Sequence, residues 1–439
     1  MENGGTGHEI PLDGNVELPG FESLKEDIKT DVLIIGGGIA GVLCAYMLAQ
    51  AGVDYALVEA ETICGGITAN TTAKLTAQHG LIYGDLLRKF GTEQAQAYLG
   101  ANQAALDKYR ALCGGIDCDF EEKDAYVYTL SKPDKIETEA AALQKLGVDA
   151  EVATSLPLPL TIASAVKFPR QAQFHPLKFA AAIAKGLRIY EHTPVRELIG
   201  TTAVTPNGRI NAGSIVAATH FPFLNKHGNY FLKLYQHRSY VMALKHAPDV
   251  GGMYVDEAEK GMSFRNYAGM LFVGGGGHRT GKQGGGWDEL QSFARRNYPD
   301  AVEVRRWATQ DCMTLDGVPY IGRYSGRTRD LYVATGFNKW GMTTSMAAAM
   351  LLSDMVQGRA PAWADVFSPS RSILRPQLAV NAFEATVNLL TPTPKRCPHM
   401  GCALKWNRQE HTWDCPCHGS RFTEDGRLLD NPAAGDLPQ

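Results

Sequence analysis

Residues 31–35, DVLII, form a short apolar run of the kind a buried parallel strand shows. Residues 39–51 follow with apolar positions at helical spacing and stop at Gly52, a residue suited to closing a helix. A second apolar run at 55–58 completes a strand–helix–strand unit. Farther on, 188–198 (RIYEHTPVREL) and 209–220 (RINAGSIVAATH) read as two more strands. Residues 331–356 read as strand, glycine loop and alanine-rich helix. Near the end, 372–390 (SILRPQLAVNAFEATVNLL) reads as one helix, and TPTPK leads from it straight into Cys397. Strands alternating with helices predict an α/β fold.

The first unit carries chemistry. Gly36-x-Gly38-x-x-Gly41 lies where the strand turns into the helix. Gly36 permits the tight turn, Gly38 lets the backbone approach a pyrophosphate, and Gly41 brings helix and strand together. Ile39 and Ala40 open the helix, whose free N–H groups and partial positive charge face the phosphates. Glu59, roughly twenty residues on, can accept from a ribose diol. A dinucleotide is therefore expected, rather than an ordinary glycine-rich turn. The acid fits FAD or NAD. No second G-x-G-x-x-G follows a strand, which argues against separate FAD and NAD domains.

Other segments extend the site. The loop at 65–80, GGITANTTAKLTAQHG, is rich in Gly, Thr and Ala, which suits a backbone wrapped closely around a cofactor; Gly66, Ile67, Thr68, Thr72 and Lys74 are its candidate contacts. Val195 lies in the turn expected to pass an adenine. Gly336 belongs to the last glycine loop, and Gly341, Met342 and Thr343 begin the last helix, aiming its N-terminus at a ligand. That placement favours a reduced flavin, which carries negative charge near N1 and O2.

Composition narrows the class. At 439 residues the chain can hold two or three domains, and its formal charge of −3 is nearly balanced. No basic tract points to nucleic acid, and no apolar run has membrane-spanning length. The polar, acidic N-terminus does not read as a signal peptide, so a cytoplasmic enzyme is expected. Of nine cysteines, Cys44, Cys64, Cys113, Cys118 and Cys312 are scattered and read as small buried hydrophobes. The other four crowd into residues 397–417.

Taken in order, these segments and TLDGVPYIGR (314–323) resemble the FAD-dependent oxidoreductases related to D-amino-acid oxidase, glycine oxidase and sarcosine oxidase, from about residue 31 to 365. The resemblance implies a Rossmann-like FAD-binding domain (30–80, 160–220 and 315–366) interleaved with an antiparallel-sheet substrate domain (81–159 and 221–314). Residues 1–29 would be an N-terminal extension and 367–395 a helix and linker. In amino-acid-oxidising members an arginine shortly before the D-G-x-P stretch grips the substrate carboxylate; here that position holds Asp311. An aspartate repels a carboxylate and attracts a cation, so an amine-type substrate is expected, unless Asp311 pairs with Arg305, Arg306 or Arg323. Arg265 is a further candidate for binding an acid, with a surface arginine on an edge strand as its alternative. Lys339 and Trp340 are expected beside the flavin, Lys339 stabilising its reduced form or holding a water; the alternative for Lys339 is a surface loop position. Thr309 stands where sarcosine-oxidase-like members have a flavin-linking cysteine, so non-covalent FAD is expected, with Cys312 three residues away.

The tail poses a separate question. Zinc fingers usually present a pair of like ligands from each loop. Here each loop supplies one cysteine and one histidine, Cys397-x-His399 and Cys415-x-x-His418. Two cysteines on one iron and two histidines on the other is Rieske [2Fe–2S] ligation. CPHMGC and CPCHGS resemble the two Rieske loops, and the resemblance places a disulfide between Cys402 and Cys417. Ser420 is expected to donate to a cluster sulfur, Phe422 stands where high-potential members have a tyrosine, and Pro432 reads as a loop shielding the cluster. The region, 396–439, would be a small all-β subdomain without the strands that usually flank these loops, dependent on the body before it.

The leading functional reading is a dehydrogenase in which FAD oxidises an amine-type small molecule and the cluster exports electrons to an unidentified acceptor. Electrons entering through the cluster from a donor, or a cluster serving as structural clip or redox sensor, are the alternatives.

Overall fold

The structure, a computed structural model, describes residues 16–224 and 227–438, so residues 1–15 of the expected N-terminal extension lie outside it. Two large sheets and one small sheet organise the chain. In the first, the order is Tyr320–Arg323, Leu331–Thr335, Gly208–Ala217, Ile28–Ile35, Tyr55–Val58 and Ile189–Tyr190. Ile28–Ile35 pairs in parallel with Gly208–Ala217 and Tyr55–Val58. Val32 to Ile35 are buried, as the apolar run demands of a central strand covered on both faces. The helices Ile39–Gln50 and Gly341–Val356 pack against each other beside it. Their N-termini lie among the residues around one cavity.

The second sheet runs Val302–Thr314, Leu234–Lys245, Met270–Arg279, Ser263–Tyr267, Met253–Asp256, Glu121–Thr129, Ser164–Gln173 and Lys74–Leu75, with Glu151–Ala153 branching from Ser164–Gln173. Its pairings are antiparallel apart from Met253–Asp256 with Glu121–Thr129. Lys74–Leu75 and Ser164–Gln173 come from segments expected in the nucleotide domain, yet their ladders belong to this second sheet.

Two sequence expectations change. The run 188–198 is not one strand: Ile189–Tyr190 ends early, and Glu197–Ile199 joins a hairpin with Thr202–Thr205. Pro194 lies in the break, where it offers no N–H to a ladder. The helix expected over 372–390 begins at Pro376. Proline is favoured in the first helical turn and biases the preceding residue toward extended backbone, as Arg375 shows with φ −132° and ψ 150°.

The third sheet is small and antiparallel: Lys405–Asn407, Thr412–Asp414, Arg421–Phe422 and Leu428–Asp430. Among the described residues, no strand separates the preceding helix from Cys397; one isolated bridge joins Arg396 and Ala403. This sheet leans on the second one. Arg238 makes a two-pronged contact to Glu410, and Tyr240 donates to Glu410 at 3.1 Å. Arg421 reaches the same carboxylate at 2.7 Å, Asp414 at 3.1 Å and Asp430 at 3.0 Å. Among the described residues, no helix is long and apolar enough to cross a membrane.

Candidate functional site

The glycine turn has the backbone its sequence implies. Gly36 sits at φ +107°, and a Cβ there would lie 2.6 Å from the Ala218 carbonyl oxygen. A Cβ on Gly41 would lie 1.9 Å from the Gly36 carbonyl oxygen, so strand and helix meet too closely for any side chain. At Gly38 a Cβ would meet only the Thr68 hydroxyl, at 3.6 Å, leaving the backbone open to a ligand. Thr68 Oγ1 accepts from the Ile39 N–H at 3.0 Å. The Glu59 carboxylate accepts from the Gly37 N–H at 2.6 Å and from the Glu61 N–H at 2.9 Å. An ionised carboxylate has further acceptor sites for a ribose diol.

From this turn a cavity of about 1420 Å³ extends to the second sheet. Gly36, Gly38, Ile39, Ala40 and Glu59 line one end, with Val195. Gly66, Ile67, Thr68, Thr72 and Lys74 follow along the wrapping loop, and Gly336, Gly341 and Met342 stand at the helix opposite. Gly41 and Thr343 lie behind the wall; Thr343 Oγ1 accepts from the Thr76 N–H at 3.0 Å and so ties the helix to the loop. The cavity exceeds what a drug-sized molecule fills. Its length, the phosphate-facing turn and the carboxylate fit FAD together with a small substrate.

At the far end, loop 336–340 is held in an uncommon shape. Asn338 and Lys339 have φ +49° and +72°. The Asn338 side chain accepts from the Thr314 N–H at 2.8 Å and donates to Gly336 O at 2.7 Å and Gly317 O at 3.0 Å. That bracket offsets the cost of left-handed backbone at non-glycine residues. It sets Lys339 and Trp340 into the cavity wall. Burial lowers the Lys339 pKa, opposed by Asp311 and Glu259. Trp340 stacks on His79, with centroids 5.2 Å apart and planes 15° apart. His79 bonds Tyr98 Oη at 2.6 Å and Thr76 O at 2.8 Å, and burial brings its pKa down to about 3, so the ring is neutral.

Asp311 lines the cavity, and its Oδ2 accepts from Ser239 Oγ at 3.1 Å. Its register partner His237 places Nε2 3.3 Å from Glu259 Oε1, adding a second carboxylate at this end. Arg306 turns instead to Glu303, at 3.7 Å. Arg265 is not a surface residue. Its side chain is fully buried and outside the cavity wall, donating to Ala73 O at 3.0 Å and lying 5.4 Å from the centroids of Tyr267 and Phe272. Strand Ser263–Tyr267 is internal to the sheet, flanked on both sides, which is why the edge-strand reading fails. Next to it, Lys74 donates to Thr72 Oγ1 at 3.2 Å, and burial followed by Arg265 lowers its pKa to about 7. Cys312 also lines the cavity, and burial pushes its thiol up to about 12.

The tail loops mirror each other. The Cys397 N–H donates to Cys402 O and Gly401 N–H to Cys397 O, each at 2.9 Å; Cys415 N–H to Ser420 O and Gly419 N–H to Cys415 O match them at 2.9 Å. Gly401 and Gly419 take φ +78° and +85°, which glycine adopts without strain. Cys402 and Cys417 form a disulfide, stapling the loops. The sulfurs of Cys402, Cys415 and Cys417 lie within 4.8 Å of one another, but the disulfide removes two of them as thiolate ligands. Cys397 and Cys415 bring their sulfurs into hydrogen-bonding contact, and the rings of His399 and His418 lie 4.9 Å apart. Burial lowers these imidazoles to about 4 and about 3, keeping them in the neutral form a metal needs. His418 Nε2 meets Phe231 O at 3.1 Å, while its buried Nδ1 has no protein partner. That is the arrangement of a ligand whose outer nitrogen is oriented by the protein. The donor set fits a [2Fe–2S] cluster held by Cys397, His399, Cys415 and His418. Ser420 hydrogen-bonds the Cys397 sulfur and accepts from the Ala433 N–H at 3.0 Å, with Pro432 buried beside it.

The two sites share a wall. Residues 428–431 of the tail line the large cavity, and Asn431 Nδ2 donates to Thr219 O at 2.7 Å and Phe221 O at 3.1 Å. The Phe221 ring lies 6.5 Å from His399 and 6.0 Å from His418. Thus the histidine side of the cluster loops faces the body. Several contributors were not read from the sequence: His79, Ser239, His237, Glu259, Asn338 and Phe221. They are single polar or aromatic residues with no motif or spacing that marks them in the sequence.

The family described as FAD dependent oxidoreductase matches residues 31–355, and the Rieske [2Fe-2S] domain matches residues 382–439. The chain is 35% identical to YhfW of Bacillus subtilis (strain 168), named as a Rieske 2Fe-2S iron-sulfur protein, across 97% of this chain and 96% of that one. Among solved structures, glycine oxidase from Geobacillus kaustophilus superposes with a TM-score of 0.66 at 22% identity, covering 79% of this chain and 99% of that one. L-proline dehydrogenase from P. horikoshii also gives 0.66, at 18% identity over 79% of this chain and 98% of its own. These two likenesses establish the shared fold. The chain is an enzyme of the FAD-dependent oxidoreductase family, carrying a Rieske [2Fe–2S] domain at its C-terminal end.

Proposed function

We propose that the enzyme dehydrogenates an amine-type substrate at a C–H bond next to nitrogen and exports the electrons singly through its Rieske centre to a separate acceptor. Bound FAD supplies a two-electron hydride acceptor, and a bound [2Fe–2S] centre supplies a one-electron carrier. The observation that carries the substrate class is Asp311, a carboxylate in the cavity wall with its Oδ2 steered by Ser239. A protonated amine approaching this end meets Asp311 and Glu259, which both favour a cation. It gives its proton to the Asp311 carboxylate, and the freed nitrogen lone pair then forms the C=N bond as the C–H hydride leaves for the flavin. Lys339, on its bracketed loop in the cavity wall, would offer a positive charge to the anionic form of a bound, reduced flavin. The neutral His79–Trp340 stack gives that end a rigid apolar wall. The His399 and His418 rings lie against Phe221 and so set the cluster loops against the body, as electron passage requires; its outward direction follows from the amine-oxidising reading.

The test compares primary and secondary amines with their α-carboxylated counterparts, using anaerobic flavin bleaching as the readout. Amines should bleach the flavin at lower concentration, and Asp311→Asn should remove that preference. A preference for the carboxylated compounds that survives Asp311→Asn would sink the amine reading.

A further inference from the structure

The helix Pro376–Leu390 is mounted with its polar side inward. Asn381 and Asn388 are its buried residues. The Asn381 side chain accepts from Arg279 at 2.9 Å and donates to Leu232 O at 3.2 Å; the buried Asn388 side chain donates to Glu384 O at 2.8 Å, and its main-chain carbonyl accepts from the Ala403 N–H at 2.9 Å. Glu384, the helix's one charged residue, is turned to Lys282 at 2.7 Å. The opposite side is apolar and faces outward: Phe383 is 67% exposed, Leu390 77%, Val380 47% and Val387 43%. A surface helix ordinarily has the reverse arrangement. Of the exposed helical positions none is charged, and only Thr386 is polar. No described residue covers the stripe.

The occupant follows from charge and spacing. A helix resting on lipid carries Lys and Arg along its polar side. This helix has neither, and its polar side is engaged by protein. Along the stripe itself a charged partner finds no complementary charge; Arg375 and Arg396 stand beyond its two ends. Val380, Phe383, Val387 and Leu390 are spaced three, four and three apart, the repeat of a helix–helix seam. An identical helix laid antiparallel across a two-fold axis sets Val380 opposite Leu390 and Phe383 opposite Val387. All four positions are then satisfied by their own copies, with no unpaired charge and with helix dipoles opposed. We infer that a second copy of this chain covers this face, making the enzyme a two-fold dimer joined through the helix before the cluster loops.

Sedimentation equilibrium on the full-length, FAD-loaded protein tests this across micromolar concentrations. The wild type should be dimeric, and Phe383→Glu should weaken association at least tenfold while leaving the flavin spectrum and the far-ultraviolet circular dichroism unchanged. Phe383→Glu combined with Val387→Lys, which sets opposite charges across the two-fold, should restore most of the association. Val380→Glu should act like Phe383→Glu. A wild type that stays monomeric would overturn the inference, as would a dimer indifferent to these changes. Binding of a monomeric wild type to neutral phospholipid vesicles would overturn it in favour of a lipid surface.

Discussion

His418 donates its Nε2–H to the main-chain carbonyl of Phe231, 3.1 Å away. A carbonyl can only accept, so the proton is fixed on Nε2 and the buried Nδ1 keeps its lone pair. The body of the enzyme therefore selects the tautomer of a residue in the cluster loops. His418→Ala should abolish the Rieske EPR signal while the flavin still binds and is still bleached by substrate. Should turnover persist with only the melting temperature reduced, the cluster would be a structural clip rather than a carrier.

Arg238 and Glu410 join the small sheet to the second large sheet, each nearly buried. Burial alone would raise the Glu410 carboxyl, but Arg238 and Arg421 overcome it and bring it down to about 2. Removing Arg238 leaves the buried Glu410 with Arg421 as its remaining cation, so Arg238→Ala should destabilise the tail by about 1.5–3 kcal/mol, the range for hydrogen bonds to a charged group. Because the folded pKa lies below the ordinary carboxylate value, this stabilisation is complete at neutral pH. It is lost progressively as pH falls through the acid range toward about 2. Melting curves of wild type and Glu410→Gln should converge as the solution is acidified; a constant gap would contradict this assignment.

Asn338 brackets the loop that carries Lys339. Asn338→Ala removes its bonds to Thr314, Gly336 and Gly317 and frees a left-handed segment to relax. Displacing the lysine by about 1 Å should lower kcat by about 100-fold. FAD affinity, expected to depend mainly on the glycine turn, should change little. Parallel losses of kcat and FAD binding would make the loop a general scaffold.

Ser420→Ala removes the hydroxyl that bonds the Cys397 sulfur. Hydrogen bonds to cluster ligands raise the potential, so a redox titration should show a lower midpoint. Phe422 is buried in the cluster's apolar core, as expected for a member lacking the tyrosine donor. An unchanged midpoint in the serine variant would remove Ser420 from the set of tuning residues.

Local motifs were the legible part of this protein. The glycine turn, Glu59 and the Cys/His loops declare themselves because the chemistry fixes residue types at short spacings. Long-range relationships were not legible. Arg265 read as an edge-strand candidate because its strand's flanking partners, Met253–Asp256 and Met270–Arg279, are set by sheet order rather than by local pattern. Asn338 and Ser239 act through partners more than twenty residues away. The inverted helix Pro376–Leu390 shows ordinary amphipathic periodicity, and periodicity cannot say which side faces inward.

The central claim is that substrate electrons pass from the flavin site to the Rieske centre. Anaerobic addition of one equivalent of an amine substrate to fully oxidised enzyme, followed by optical and EPR spectroscopy of the same sample, tests it most directly. Flavin bleaching followed by the reduced-Rieske EPR signal is expected. A bleached flavin beside a cluster that stays EPR-silent, yet can be reduced by dithionite, would contradict it.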